Sequence, residues 1–335
     1  RCPPRRGSLN CPSSSRRPSC PSQSRPSPSR RRLSSPARVR RHLDARVARA
    51  RDAARRRAAD PVGGVPRGPV PHELRQTCHT RFRDLPGTTV HTLVPATDEP
   101  SDTPRDICVY LPGGHHIDPP DAARWGLVSR LTDAGFRVDV PVTDPPPLVT
   151  AATAVPVVRQ VRAEARATAA ATGHRVVLLG EGAGGGLALA ALLADPAPGD
   201  PGVTTAPSRV ALVSPWLDPA LDDPAVAGLV GRDPVLHPAG LRVAAEAWRG
   251  DLPADDPRVA PLAAPSLRGL PPVEVWAGDR EILLPGCRAL AARLAAEGVP
   301  HRLHVTPGAV HAWLLASTPE GRRDASALVN DLLEG

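Results

Sequence analysis

The residues that could do chemistry begin with Gly180-Glu181-Gly182-Ala183-Gly184-Gly185-Gly186, which follow the aliphatic run Arg175 to Leu179 and lead into an Ala/Leu-rich stretch. Such a pattern reads as strand, sharp turn, helix. Two chemistries use that geometry. In the nucleophile elbow, G-x-S-x-G, a strained turn holds a serine hydroxyl above a sheet. In the dinucleotide fingerprint, G-x-G-x-x-G, which Gly180, Gly182 and Gly185 satisfy, the glycines admit a pyrophosphate. Three further stretches bear on the choice. Pro112-Gly113-Gly114-His115-His116 is a glycine-bearing loop after a strand, where backbone N–H groups can face a developing oxyanion. Gly278-Asp279-Arg280-Glu281 places acids after a strand, and Pro307-Gly308-Ala309-Val310-His311 places a histidine after the last strand. Elbow, acid and histidine in that order is the arrangement of acyl-transfer sites. The dinucleotide reading instead needs an acid about 20 residues on, at the end of a second strand. Asp200 has the distance, but Asp195 to Pro207 is Pro/Gly-rich and offers no strand, and several βα elements precede the fingerprint.

These residues must be held by a regular scaffold, and an alternation of strand and helix patterns supplies one. Strands are expected at Thr88 to Pro95, Asp106 to Leu111, Phe136 to Val142, His174 to Leu179, Arg209 to Val213, Val273 to Ala277 and His301 to Val305. Helices are expected at Ala122 to Ala134, Thr150 to Thr172, Gly184 to Ala194, Pro238 to Trp248, Pro285 to Glu297 and Pro319 to Leu333. The fold class is therefore α/β, a mainly parallel sheet covered by helices on both faces.

The chain has 335 residues, is 41% hydrophobic and carries a net charge of +8. That charge is not spread evenly. Nineteen Arg and three Asp fall within residues 1–70, which leaves 23 basic and 31 acidic residues beyond them. Residues 1–36 are Arg, Ser and Pro, a composition expected to be disordered. From Ala37 to Ala59, Val39, Leu43 and Val47 suggest a thin amphipathic helix. The arm has no aromatic residues for stacking, so nucleic acid is not the expected partner despite its charge. No apolar run is long enough to span a membrane. Nothing near the start reads as a signal peptide, and the six cysteines match no close-paired metal spacing. A cytoplasmic location is expected; the sequence carries no signal for an oligomeric state.

From Thr88 onward the chain resembles the hormone-sensitive-lipase-like esterases of the α/β-hydrolase superfamily, particularly their actinobacterial members. Matching stretches are Leu179 to Leu187 for L-G-D-S-A-G-G-G-L, Leu212-Val-Ser-Pro-Trp-Leu-Asp218, Arg232-Asp233-Pro234, Leu270-Pro-Pro272, Gly278 to Leu283 and Pro307 to His311. The resemblance implies an α/β-hydrolase domain over residues 71–335 with a small helical cap at about 215–251, behind a basic tail at 1–70. It also implies a triad at Gly182, Glu281 and His311, with Glu281 orienting the base His311. The nucleophile itself is missing, because Gly182 stands where the family has serine. Gly113, Gly114 and Ala183 are the implied oxyanion-hole residues, in a loop that lacks the family's first histidine and last glycine. His115, Trp216 and Trp313 are expected to line an acyl pocket; Trp125, Trp248 and Trp276 are expected in the core or a pocket wall.

The resulting expectation is a carboxylic-ester hydrolase by family, catalytically impaired, whose substrate if active is a small apolar acyl ester. Two alternatives stand beside it. One is an active esterase using a substitute nucleophile, for which Ser214 and Cys287 are candidates although a buried structural role is expected for both, or using an activated water. The other is a binding or scaffold protein that keeps the pocket. His115, His116, Glu181, Glu281 and His311 could approach one another as metal ligands, but a Glu281–His311 pair needs no metal. Neither metal nor cofactor is expected, and structural hydrogen bonding is expected of Glu181.

Overall fold

The computed structural model describes residues 35–59, 67–96, 105–194 and 207–334. Most of the Arg/Ser/Pro tail and the Asp200 segment lie outside these residues. The strands are β1 (Cys78–Leu85), β2 (Thr88–Pro95), β3 (Ile107–Leu111), β4 (Arg137–Thr143), β5 (Val176–Glu181), β6 (Arg209–Val213), β7 (Val273–Gly278) and β8 (His301–Thr306). They form one eight-stranded sheet in the order β1-β2-β4-β3-β5-β6-β7-β8. The β1–β2 and β2–β4 pairs are antiparallel, and every pair from β4 to β8 is parallel. β1 was not expected from the sequence. Its Cys-His-Thr-Arg-Phe-Arg-Asp-Leu is largely exposed, as an edge strand allows, and carries no continuous apolar run.

The helices are α1 (Pro36–Ala59), α2 (His72–Thr77), α3 (Ala122–Asp133), α4 (Ala151–Ala170), α5 (Ala183–Leu193), α6 (Pro238–Arg249), α7 (Leu284–Ala296) and α8 (Pro319–Glu334). They cover both faces because the central strands are apolar on both. In β3, Ile107, Val109 and Leu111 face a core shared with α4, α5 and α7, while Cys108 and Tyr110 face one shared with α3 and α8. That two-residue alternation is the pleat of the strand. α1 is part of the packed body: Val39, Leu43 and Val47 are buried, and the helix lies against α6. No helix among the described residues is long and apolar enough to cross a membrane.

α5 is buried on every side from Ala183 to Leu192. Its glycines are explained by how close it comes to neighbouring backbone. A Cβ on Gly184 would lie 2.0 Å from the Leu111 carbonyl oxygen, and one on Gly186 would lie 2.3 Å from the Trp216 carbonyl oxygen. Neither oxygen is the end of a flexible side chain, so a methyl group could be admitted only by moving the helix off β3 or off the chain after β6. Gly184→Ala is therefore expected to lower stability by about 1–3 kcal/mol or more. In α3, a Cβ on Gly126 meets nothing within 4 Å, so Gly126→Ala should raise stability by about 0.4–1 kcal/mol. Urea midpoints of the two variants, moving in opposite directions, check both statements.

Candidate active site

β5 ends at Glu181, α5 begins at Ala183, and Gly182 between them adopts φ 57° and ψ −119°. A side-chain-bearing residue there would cost about 1–3 kcal/mol; glycine takes it with little strain. The turn is pinned by its own backbone. Gly182 N–H donates to Val213 O at 2.9 Å, and its carbonyl accepts from Trp216 N–H at 2.9 Å and Gly185 N–H at 3.1 Å. A Cβ added to Gly182 would point at the imidazole of His311, 3.6 Å from both Cε1 and Nε2.

His311 follows β8, and Glu281 follows β7, so adjacent parallel strands deliver both side chains to the same edge of the sheet. Glu281 is fully buried; its Oε2 lies 3.0 Å from His311 Nδ1 and its Oε1 accepts from Gly278 N–H at 2.8 Å. The acid loop is tied to the segment before α6 by Asp233, which accepts from Ile282 N–H at 3.0 Å and also from the N–H groups of Val235 and Leu236. Behind His311, Ala312 and Ser214 both have left-handed backbones, and Ser214 Oγ accepts from Ala312 N–H at 3.0 Å. Ser214 is thus buried and engaged. Cys287 is buried inside α7, and burial, followed by the charge of Glu281, pushes its thiol far above the usual range. Neither presents a free nucleophile to His311.

Glu181 is bound by three donors: Arg124 Nε at 2.7 Å, Arg124 Nη2 at 3.1 Å and Gly113 N–H at 2.8 Å. Burial, the largest single influence, drives its pKa upward, but Arg124, His311 and the Gly113 N–H together hold the carboxyl below its ordinary value. Its Oε1 stands 4.0 Å from His311 Nε2. The carboxylates considered as metal ligands are therefore committed, Glu281 to His311 and Glu181 to Arg124. Glu274, His304 and Asp331 do gather ligand atoms within 4.8 Å of one another. They lie away from the elbow, with Glu274 near the start of β7 and already paired to Arg209.

A small cavity joins Gly114, His115, Gly182, Ala183, Trp216 and His311, with Leu236, Leu241 and Leu283 completing its wall. One expected donor is engaged and one expected lining residue stands elsewhere. Gly113 Cα lies 3.8 Å from the Cβ position at Gly182, but its N–H is taken by Glu181, and Gly113 also borders a separate hollow with Leu111, His116 and Leu187. Trp313 packs in the α3/α8 core and donates its indole N–H to Asp324 Oδ2 at 2.8 Å. Trp313, two residues after the histidine, turns the opposite way because Ala312 between them adopts a left-handed backbone. Arg124 had no sequence signal, being one arginine on the face of a helix. The Asp233 motif was legible, but its link to the acid loop was not. His42 of α1, 2.8 Å from Asp118, is a further contact between the N-terminal helix and the loop after β3.

A sequence profile of the alpha/beta hydrolase fold family matches residues 147–315, half of the chain. The chain belongs to this family. Its relatives within the family are esterases and lipases. A triacylglycerol lipase of Mycobacterium tuberculosis is 32% identical over 227 residues, covering 66% of this chain and 45% of that protein. An acetyl-hydrolase of Streptomyces hygroscopicus is 37% identical over 154 residues, covering 44% of this chain and 49% of that protein. The chain thus matches about half the length of each. Among solved structures, a candidate esterase from Staphylococcus aureus superposes with a TM-score of 0.74 at 20% identity, over 90% of this chain and 95% of that one. An esterase of the bacterial hormone-sensitive lipase family gives 0.63 at 24% identity, over 87% and 97%. At such identities the structures establish the fold.

His115 and His116 supply a pH dependence. Burial, and then the charges of His311 and Arg124, lower the pKa of His115 to about 3; burial and then His115 do the same for His116. In the folded protein both stay neutral, whereas in the unfolded chain each binds a proton near pH 6.5. Their contribution to stability is complete above that value and is lost as the pH falls toward about 3. His116→Phe keeps a ring against Trp248, on which His116 stacks at 3.6 Å, and removes one of the two titrations. The slope of unfolding free energy against pH, measured by urea denaturation between pH 6 and 4, should become shallower by about 1.4 kcal/mol per pH unit.

Proposed function

We propose that this protein is a carboxylic-ester hydrolase of the esterase/lipase group in which base and acid are retained and the covalent nucleophile is lost at Gly182. The observation that carries this reading is the direction of the Cβ position at Gly182, 3.6 Å from His311 Nε2. A serine hydroxyl built out from there falls within hydrogen-bond reach of the imidazole. The Glu281 contact to Nδ1 fixes the ring with Nε2 toward the elbow, the orientation a general base needs.

With serine at this position, Oγ would attack the acyl carbon as Nε2 takes its proton, and Glu281 would stabilise the imidazolium. The N–H of Ala183, first in its helix and so without an intrahelical partner, and the N–H of Gly114 are the amides we assign to the oxyanion. Water would then release the acyl group by the same base. The leucine- and tryptophan-walled cavity suits a small apolar acyl ester, in keeping with the acetyl-hydrolase and lipase activities of the named relatives. The chemistry calls on no metal or cofactor. We take residues 71–335 as the hydrolase unit and about 215–251 as its cap, with α1 laid against it.

As it stands, the chain keeps only what an oxyanion site and a binding pocket provide without a nucleophile, roughly 10³–10⁴-fold over water in a comparable hydrolase. The intact Glu281–His311 pair favours one second reading, in which His311 deprotonates a water that attacks the ester directly. Hydrolysis of p-nitrophenyl acetate by wild type and Gly182→Ser tests the assignment. The serine variant should be faster by at least about 10³-fold. A serine variant no faster than wild type would overturn it, and wild-type activity abolished by His311→Ala would establish the water reading instead.

A further inference from the structure

We propose that His115 is a catalytic residue of this site, donating a side-chain hydrogen bond from Nε2–H to the carbonyl oxygen of the bound ester. The inference rests on the reading that the cavity at Gly182 receives an ester, and assigns to that cavity a donor the amide pattern does not provide.

Four observations converge. The Gly113 N–H, in the loop whose amides would otherwise face the oxyanion, is bound to Glu181 at 2.8 Å. His115 occupies the loop position where the resembling esterases have their last glycine, and it does so at φ 59°, a conformation that costs a side-chain-bearing residue about 1–3 kcal/mol. Its Nε2 is sealed from solvent and has no hydrogen-bond partner among the described residues, a further cost of about 1–3 kcal/mol for a polar atom. The same side chain lines the cavity with Gly182, Ala183 and His311. The left-handed backbone sets His115 in the turn that Ile117 and Asp118 N–H close on Gly114 O, while the unsatisfied nitrogen has no return inside the fold, and an incoming acceptor would offset that cost.

The chemistry of the ligand fixes the direction of the bond. An ester offers oxygen acceptors and no donor, so an imidazole can hold it only through an N–H. Burial is the main cause that lowers the pKa of the ring to about 3, so it is neutral at physiological pH. His115 therefore polarises the carbonyl and keeps its proton; no bond to it forms or breaks, and proton transfer remains with His311. On the other side of the loop, His116 is occupied in its stack against Trp248.

The test combines kinetics with direct observation of the ring. In the Gly182→Ser background, His115→Leu and His115→Gly should each lower kcat for p-nitrophenyl acetate by about 10²–10³-fold with KM little changed. His115→Gln, whose amide can donate from a similar place, should stay within about tenfold of its parent. His115→Gly relieves the left-handed backbone, so a low kcat in a variant at least as stable as its parent cannot be attributed to misfolding. Equal or higher activity in His115→Gly would overturn the proposal. In wild type, which lacks the nucleophile, methyl butyrate titrated into 15N-histidine-labelled protein should move the Nε2–H resonance that His115→Gln removes. Movement of His311 with no movement of His115 would overturn the donor role alone. No movement of either, together with a silent Gly182→Ser variant, would overturn the ester reading and this proposal with it.

Discussion

The first turn of α5 lies so close to the backbone of two neighbouring strand ends that no side chain fits between them, and the site is built on that approach. Leu111 O sits against Gly184 and Trp216 O against Gly186, at distances a Cβ could not share. The loop that follows β3 and the segment that follows β6 are thereby clamped to the elbow from opposite sides. Gly182 completes the clamp with hydrogen bonds to Val213 and Trp216. None of these contacts involves a side chain at Gly182, which is why a site of this shape can persist without its hydroxyl. Glycine at φ 57° even removes the strain that a serine would impose.

Polar groups around the elbow are satisfied in a definite order. His311 lies between two buried carboxylates, Glu281 at 3.0 Å from Nδ1 and Glu181 at 4.0 Å from Nε2. They differ in what else holds them. Glu181 is neutralised by a bidentate arginine and an amide, so it belongs to the scaffold and anchors the loop through Gly113. Glu281 has one amide and the imidazole, so its charge is left to act on His311. Left-handed residues gather at the same edge of the sheet: His115 and His116 before the cavity, Ser214 and Ala312 behind the histidine. Such outliers concentrate where geometry is held for function, and here each is fixed by a stack, a hydrogen bond or the cavity wall.

Much of the architecture was legible because the sequence alternates cleanly. The buried strands are short aliphatic runs, and helices such as α5 and α7 begin and end within a residue or two of the expected limits. The meeting of Gly182 with Glu281 and His311 was also foreseeable, since parallel strands bring their C-terminal ends to one edge. What could not be read were features decided by tertiary contact. β1 is polar because it is an edge strand. Trp313 turns into the core because Ala312 adopts φ 53°. The Gly113 amide is diverted by a glutamate long enough to reach both it and Arg124, a competition that spacing in the sequence does not reveal. α1 carries the thin apolar stripe Val39, Leu43, Val47, but only the fold shows that α6 is what covers it.

The central claim is that a single missing hydroxyl separates this chain from covalent ester chemistry. Intact-mass spectrometry after exposure to an alkyl fluorophosphonate addresses it most directly. Gly182→Ser should gain the mass of one phosphonyl group, Gly182→Ser with His311→Ala should gain it far more slowly, and wild type should remain unmodified. A phosphonylated wild type, or a serine variant that stays unlabelled, would contradict the account.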